Sequence, residues 1–92
     1  MTQNGFLLRI FGRIQGVGFR CWTQKQAQRL RVNGWVRNEA DGSVTCECCG
    51  PEDTLQIFIK ALRSGPPRAR VDKIDVTPVC RAAAPRGFEI TF

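Results

Sequence analysis

The stretch Gly12-Arg13-Ile14-Gln15-Gly16-Val17-Gly18-Phe19-Arg20 stands between a segment that reads as a strand and one that reads as a helix. Gly16 and Gly18 bracket a single valine, and glycine lets a backbone take positive φ and come close to a ligand. Successive N–H groups in such a turn can point inward together as an anion-binding concavity, and the first turn of the following helix adds unpaired donors of its own. Arg20 supplies a guanidinium, whose fork of donors matches phosphate or carboxylate oxygens. The plain alternative is a tight strand-to-helix connection followed by a solvated arginine. A nucleotide site is a poor fit in either case. The loop lacks Gly-Lys-Ser/Thr, and Cys21 stands where a dinucleotide fingerprint needs its third glycine.

Outward from this loop, elements of two kinds alternate. Phe6 to Phe11 reads as a strand with Phe6, Leu8 and Ile10 facing inward and Arg9 outward. Cys21 to Val32 reads as a helix with Thr23, Ala27 and Leu30 on its stripe, ended by Asn33-Gly34. Trp35 to Glu39 and Val44 to Cys49 form a hairpin across Ala40-Asp41-Gly42-Ser43. Pro51 opens a second helix, whose stripe of Leu55, Phe58, Ile59 and Leu62 is the clearest in the chain, and Ser64-Gly65-Pro66-Pro67 stops it. Val71 to Val79 is a strand with a bulge or slip expected near Asp72, because Val71, Ile74 and Val76 do not keep one phase. Cys80 to Arg86 reads as a loop, and Phe88, Ile90 and Phe92 alternate as a last strand. The order β-α-β-β-α-β with one short added strand predicts an α+β, ferredoxin-like split β-α-β sandwich: one antiparallel sheet with both helices on one face.

The length of 92 residues predicts one domain over 1–92. No apolar run reaches the roughly 20 residues that span a bilayer, and Met1-Thr2-Gln3-Asn4 opens no signal-peptide pattern, so a soluble cytoplasmic monomer is expected. The net charge is +6, yet residues 1–38 hold seven basic side chains and no acid. That positive field would draw a small anion toward the glycine loop. It would also suit nucleic acid, or simply be a solvated surface. Cys46-x-Cys48-Cys49 resembles a metal cluster, but strand alternation splits it between two faces and there is no histidine to complete a site. Two buried thiols and one exposed thiol are expected there, with no metal.

The inventory of catalytic groups is short. Without His or Tyr, and with Ser43 and Ser64 at turn positions, triads and histidine acid–base chemistry are excluded. Cys21 is a conceivable nucleophile at a helix start. A phosphate cradle with no strong base suits a leaving group that needs no proton, such as a carboxylate with a pKa of about 4. Asn38 can donate and accept at once and could align a water. It could equally serve the turn before Asp41-Gly42.

Two segments together give a resemblance. Gly12 to Arg20 is similar to the first signature of the acylphosphatase family, and Gly34-Trp35-Val36-Arg37-Asn38 to its second. The likeness continues through Asp41-Gly42-Ser43-Val44, Gly50 and Gly65-Pro66, and so covers nearly the whole chain. It implies hydrolysis of the carboxyl-phosphate bond of small acyl phosphates with no metal or cofactor; no nucleic-acid or membrane partner is expected. Carried across, it implies that the backbone of Gln15, Gly16, Val17, Gly18, Phe19 and Arg20, with the Arg20 side chain, binds the phosphoryl group. It implies that Asn38 holds the attacking water. The family's domain also occurs at the front of a much larger hydrogenase-maturation protein. The competing class is a basic ferredoxin-like module that binds nucleic acid or other anions without catalysis.

Overall fold

Val44–Cys49 is the strand on which the sheet is built, and all six of its residues are buried. The computed structural model describes residues 3–81 and 85–92. Its elements run β1 (Gln3–Arg13), α1 (Phe19–Leu30), β2 (Asn33–Asn38), β3 (Val44–Cys49), α2 (Glu52–Ser64), β4 (Arg70–Arg81) and β5 (Phe88–Thr91). The sheet order is β4-β1-β3-β2-β5. β1 and β2 are parallel and separated by β3, so each β-α-β unit is split by a strand of the other.

Alternation explains β1: Leu8 and Ile10 are fully buried, and Arg9 between them is exposed. Helix periodicity explains α2, where Leu55, Phe58, Ile59 and Leu62 are the buried residues. α1 lies over β2 and β5, α2 over β4 and β1, and the helices touch each other. Phe58 meets Phe88 edge-on at 6.0 Å between centroids, tying α2 to β5 across this shared core. The helices therefore cover one face. Among the described residues no helix is long and apolar enough to cross a membrane.

The slip in β4 falls where the sequence places it. Phe11 pairs with Lys73 and Gly12 with Val71, so Asp72 is the residue left over. Other boundaries shift. α1 begins at Phe19 rather than Cys21, which adds Phe19 to its buried stripe. It ends at Arg31, with φ 59° and ψ 38°, and not at Asn33-Gly34. The Arg31 N–H reaches the Gln28 carbonyl at 3.2 Å and the Val32 N–H the Ala27 carbonyl at 2.8 Å, so the last turn closes without glycine. β4 continues through Cys80 and Arg81, so the expected 80–86 loop is shorter, and residues 82–84 lie outside the described ones. β5 pairs parallel to β2. The first four strands are antiparallel to their neighbours, and the fifth, added at the edge opposite β4, makes the sheet mixed.

Cys49 corrects the expectation of one exposed thiol: Cys46, Cys48 and Cys49 are all at 0% exposure. β3 is central, and neighbouring side chains cover even its open-face residues. Burial raises the Cys46 thiol well above its ordinary range and pushes Cys48 up to about 12. Both stay protonated at neutral pH and are poor ligands and nucleophiles.

Gly34 belongs to β2, not to a helix cap. At φ +146° its α-carbon lies so close to β3 that an added Cβ would sit 1.8 Å from the Glu47 carbonyl oxygen. Gly34→Ala is expected to cost at least about 2 kcal/mol, since relief requires moving the sheet's central pair. Urea unfolding checks this, and an unchanged midpoint would show that β2 can move away freely.

Candidate active site

The glycine loop is pinned at both ends. Ile14 before it and Phe19 after it are each 1% exposed, and Phe19 stacks at a tilt on Trp22 with centroids 5.8 Å apart. Between these anchors Gly16 and Gly18 have φ of 78° and 77°, while Val17 stays out of the left-handed region. A Cβ at either glycine would meet nothing within 4 Å. Glycine is required there by backbone conformation and not by crowding. This alternation curves the chain so that its N–H groups converge. The first i→i−4 bond of α1 runs from the Trp22 N–H to the Gly18 carbonyl at 3.0 Å, so the N–H groups of the helix's opening residues, Phe19 to Cys21, have no such partner within the helix. No side chain caps the helix at Gly18 and no acid occupies its first turn, so its positive end is uncompensated.

The loop is also tied to the β2–β3 hairpin. Gln15 donates through Nε2 to the Glu39 carbonyl at 2.8 Å and to the Ser43 carbonyl at 3.0 Å. The hairpin is closed in turn by Glu39 N–H to the Ser43 carbonyl at 2.8 Å. Asp41 accepts the Ser43 N–H at 2.9 Å and the Ser43 hydroxyl at 2.5 Å, while Arg9 reaches both side chains at 2.9 Å. Those Ser43 hydrogen bonds, the hydroxyl's first, hold the Asp41 carboxyl below the usual carboxylate range. The Arg9–Asp41 pair is about half exposed and by itself contributes little. The network acts by fixing the hairpin against β1. Glu39 adds to it, accepting the Thr45 hydroxyl and the Arg37 guanidinium.

The clamp brings Asn38 beside the loop. Asn38 ends β2, paired with Val44, and lines one cavity of about 280 Å³ with Gln15, Gly16, Gly18, Phe19 and Arg20. Val17 packs instead against the margin of the core. Arg20 bears the single charged side chain among the residues lining the cavity. Its guanidinium lies 5.1 Å from the centroid of the Phe92 ring and forms no ion pair among the described residues. The Asn38 amide likewise has no protein partner among them. Cys21, Ile90 and Phe92 complete the lining. Sequence reasoning found the last two only as strand residues, because the position of β5 beside β2 has no local signature.

A donor-rich loop, one uncommitted cation and one uncommitted amide thus face a single cavity, an arrangement that can hold a tetrahedral oxyanion and orient a second small molecule against it. A family model described as acylphosphatase matches residues 6–90. The chain belongs to the acylphosphatase family. The acylphosphatase of Salinibacter ruber is 49% identical over 89 residues, covering 97% of this chain and 94% of that relative. The crystal structure of the acylphosphatase from Bacillus subtilis superimposes with a TM-score of 0.93 at 36% identity, covering 97% of this chain and 99% of the other. Full-length HypF in its phosphate- and nucleotide-bound form contains a similar domain, with a TM-score of 0.83 at 28% identity. That match covers all of this chain but 12% of HypF, so the acylphosphatase fold there is one part of a much larger protein.

Proposed function

We propose that the protein is a cytoplasmic, monomeric acylphosphatase that hydrolyses acyl phosphates to carboxylate and inorganic phosphate. The backbone of residues 15–20 and the Arg20 guanidinium bind the phosphoryl group, and a water held by Asn38 attacks it in line. The observation that carries this reading is the meeting of the αL-glycine loop, Arg20 and Asn38 on one cavity.

The chemistry asks little more of the protein. Phosphoryl transfer passes through a loose transition state, so positioning and charge stabilisation supply most of the acceleration. The departing carboxylate has a pKa of about 4 and leaves without a proton from the enzyme. This fits a cavity with no histidine, tyrosine or acidic side chain in its lining. Asn38 can accept a hydrogen bond from the water and donate one to a phosphoryl oxygen. Its role is alignment, not proton abstraction.

The alternative of nucleic-acid binding needs aromatic rings free on the open sheet face. Phe11 already lies under Lys73 at 5.0 Å and Arg9 at 5.9 Å, and Trp35 lies 5.0 Å from the Arg37 guanidinium. Both rings are already paired with the protein's own cations, and the central strand β3 adds no aromatic residue to them, so two rings are too few for a stacking surface. The deciding experiment is hydrolysis of benzoyl phosphate by the purified protein in the presence of EDTA. Turnover with competitive inhibition by inorganic phosphate is expected. A folded protein with no turnover, together with salt-dependent oligonucleotide binding, would replace this reading with the binding module.

A further inference from the structure

We propose that Phe92 and Ile90 form the wall of an acyl-group subsite beside the phosphoryl cradle, which selects aromatic and other bulky apolar acyl phosphates over acetyl phosphate. The inference rests on the reading of the cavity as an acylphosphatase site.

Its starting point is the part of the cavity that phosphate chemistry leaves over. The loop backbone, Arg20 and Asn38 account for the polar lining. Ile14 and Phe19 are 1% exposed and form only the floor. Ile90 and Phe92 carry no polar side-chain group, yet both line the same space. Their placement follows from the sheet. Val36 pairs with Ile90 and Arg37 with Thr91, so Ile90 shares the helix-covered face with buried Val36. Phe92, two residues on, continues along that face beside Asn38.

Phe92 is 98% exposed, the most exposed of the large hydrophobic side chains among the described residues. The Arg20 guanidinium lies over its ring at 5.1 Å from the centroid and leaves most of the ring's apolar surface bare. A phosphoryl group held by that guanidinium carries its acyl substituent within a few ångströms of the ring. An aromatic acyl group can stack on it in an offset or edge-on arrangement. Acetyl is too short to cover both Phe92 and Ile90. The acyl group is not the reacting centre, so contact with it contributes uniform binding and discriminates by apolar area.

The test compares kcat/KM on benzoyl phosphate and acetyl phosphate for the parent, Phe92→Ala and Phe92→Leu. Because the ring is so exposed, folding of both variants is expected to match the parent, which thermal unfolding checks. Phe92→Ala should lose roughly tenfold more on benzoyl than on acetyl phosphate, the size typical of a removed apolar contact. Phe92→Leu should regain much of the preference, since it restores apolar area without a π-face. Equal losses on the two substrates with weaker phosphate inhibition would overturn the subsite and leave Phe92 as a residue that positions Arg20. An unchanged ratio with no loss at all would also overturn it. A parent inactive on both substrates would remove the cavity reading and the subsite with it, an outcome distinct from turnover with an unaltered preference.

Discussion

Arg20→Ala is expected to lower kcat/KM for benzoyl phosphate by about 10³-fold or more, the range seen when a transition-state guanidinium is removed from phosphoryl transfer. Arg20 is the one charged side chain on the cavity, and among the described residues no carboxylate neutralises it. It sits in the first turn of α1, so its charge adds to the open end of the helix. Charge on the phosphoryl oxygens is present in the ground state and redistributed in the transition state, so KM should rise and kcat fall together. Inhibition by inorganic phosphate should weaken in parallel. The protein itself should not suffer, because alanine is the best helix former and the guanidinium makes no structural ion pair. Arg20→Lys separates charge from geometry: a lysine keeps the positive charge but not the planar fork, and an intermediate activity is expected. Steady-state kinetics with a thermal unfolding control decide the matter. A well-folded Arg20→Ala protein within tenfold of the parent would mean that the loop backbone suffices and that Arg20 is only a surface cation.

How much of this site is legible in the sequence depends on whether the signal is local. Gly16 and Gly18 announce left-handed backbone because few other residues take it readily, and Arg20 follows within one turn. The slip at Asp72 is legible because Val71, Ile74 and Val76 break a period of two within a few residues. Asn38 is different. Its approach to the loop depends on β1 pairing with β3 and β3 with β2, and on Gln15 reaching two carbonyls in the hairpin. The hairpin pairing is local, but the β1–β3 pairing and the Gln15 bonds span more than 20 residues, so the residues alone leave Asn38 open between a turn and a site, and only the family resemblance points to a role. Cys49 is buried for a similar reason. Alternation assigns it to the outer face, but the central position of β3, which covers that face too, is a property of the whole sheet. Arg31 closes α1 in a conformation usually left to glycine, while Gly34, three residues later, serves β2 where it runs close to Glu47. Phe92 reaches the cavity because β5 adds parallel to β2, a pairing that no turn signal marks.

Asn38→Ala should leave a folded protein that binds phosphate and scarcely turns over. The expected fall in kcat is about 10²- to 10³-fold, the loss typical of removing one oriented polar group from a transition state. The backbone of Asn38 stays in the β2–β3 ladder opposite Val44, and its side-chain amide holds no other described group in place, so the substitution removes the amide and little else. If that amide aligns water, ground-state binding is untouched: KM and the phosphate inhibition constant should stay near the parent values while kcat drops. This split separates Asn38 from Arg20, whose loss moves both. Asn38→Asp sharpens the distinction. It keeps an acceptor for the water but loses the donors and sets a negative charge against an anionic substrate. It should therefore be no more active than Asn38→Ala and should also weaken phosphate inhibition. A purely structural role in the hairpin predicts the reverse pattern, a lowered unfolding midpoint with kcat preserved. Finding that pattern would return Asn38 to the turn and leave the attacking water to be positioned by the loop alone.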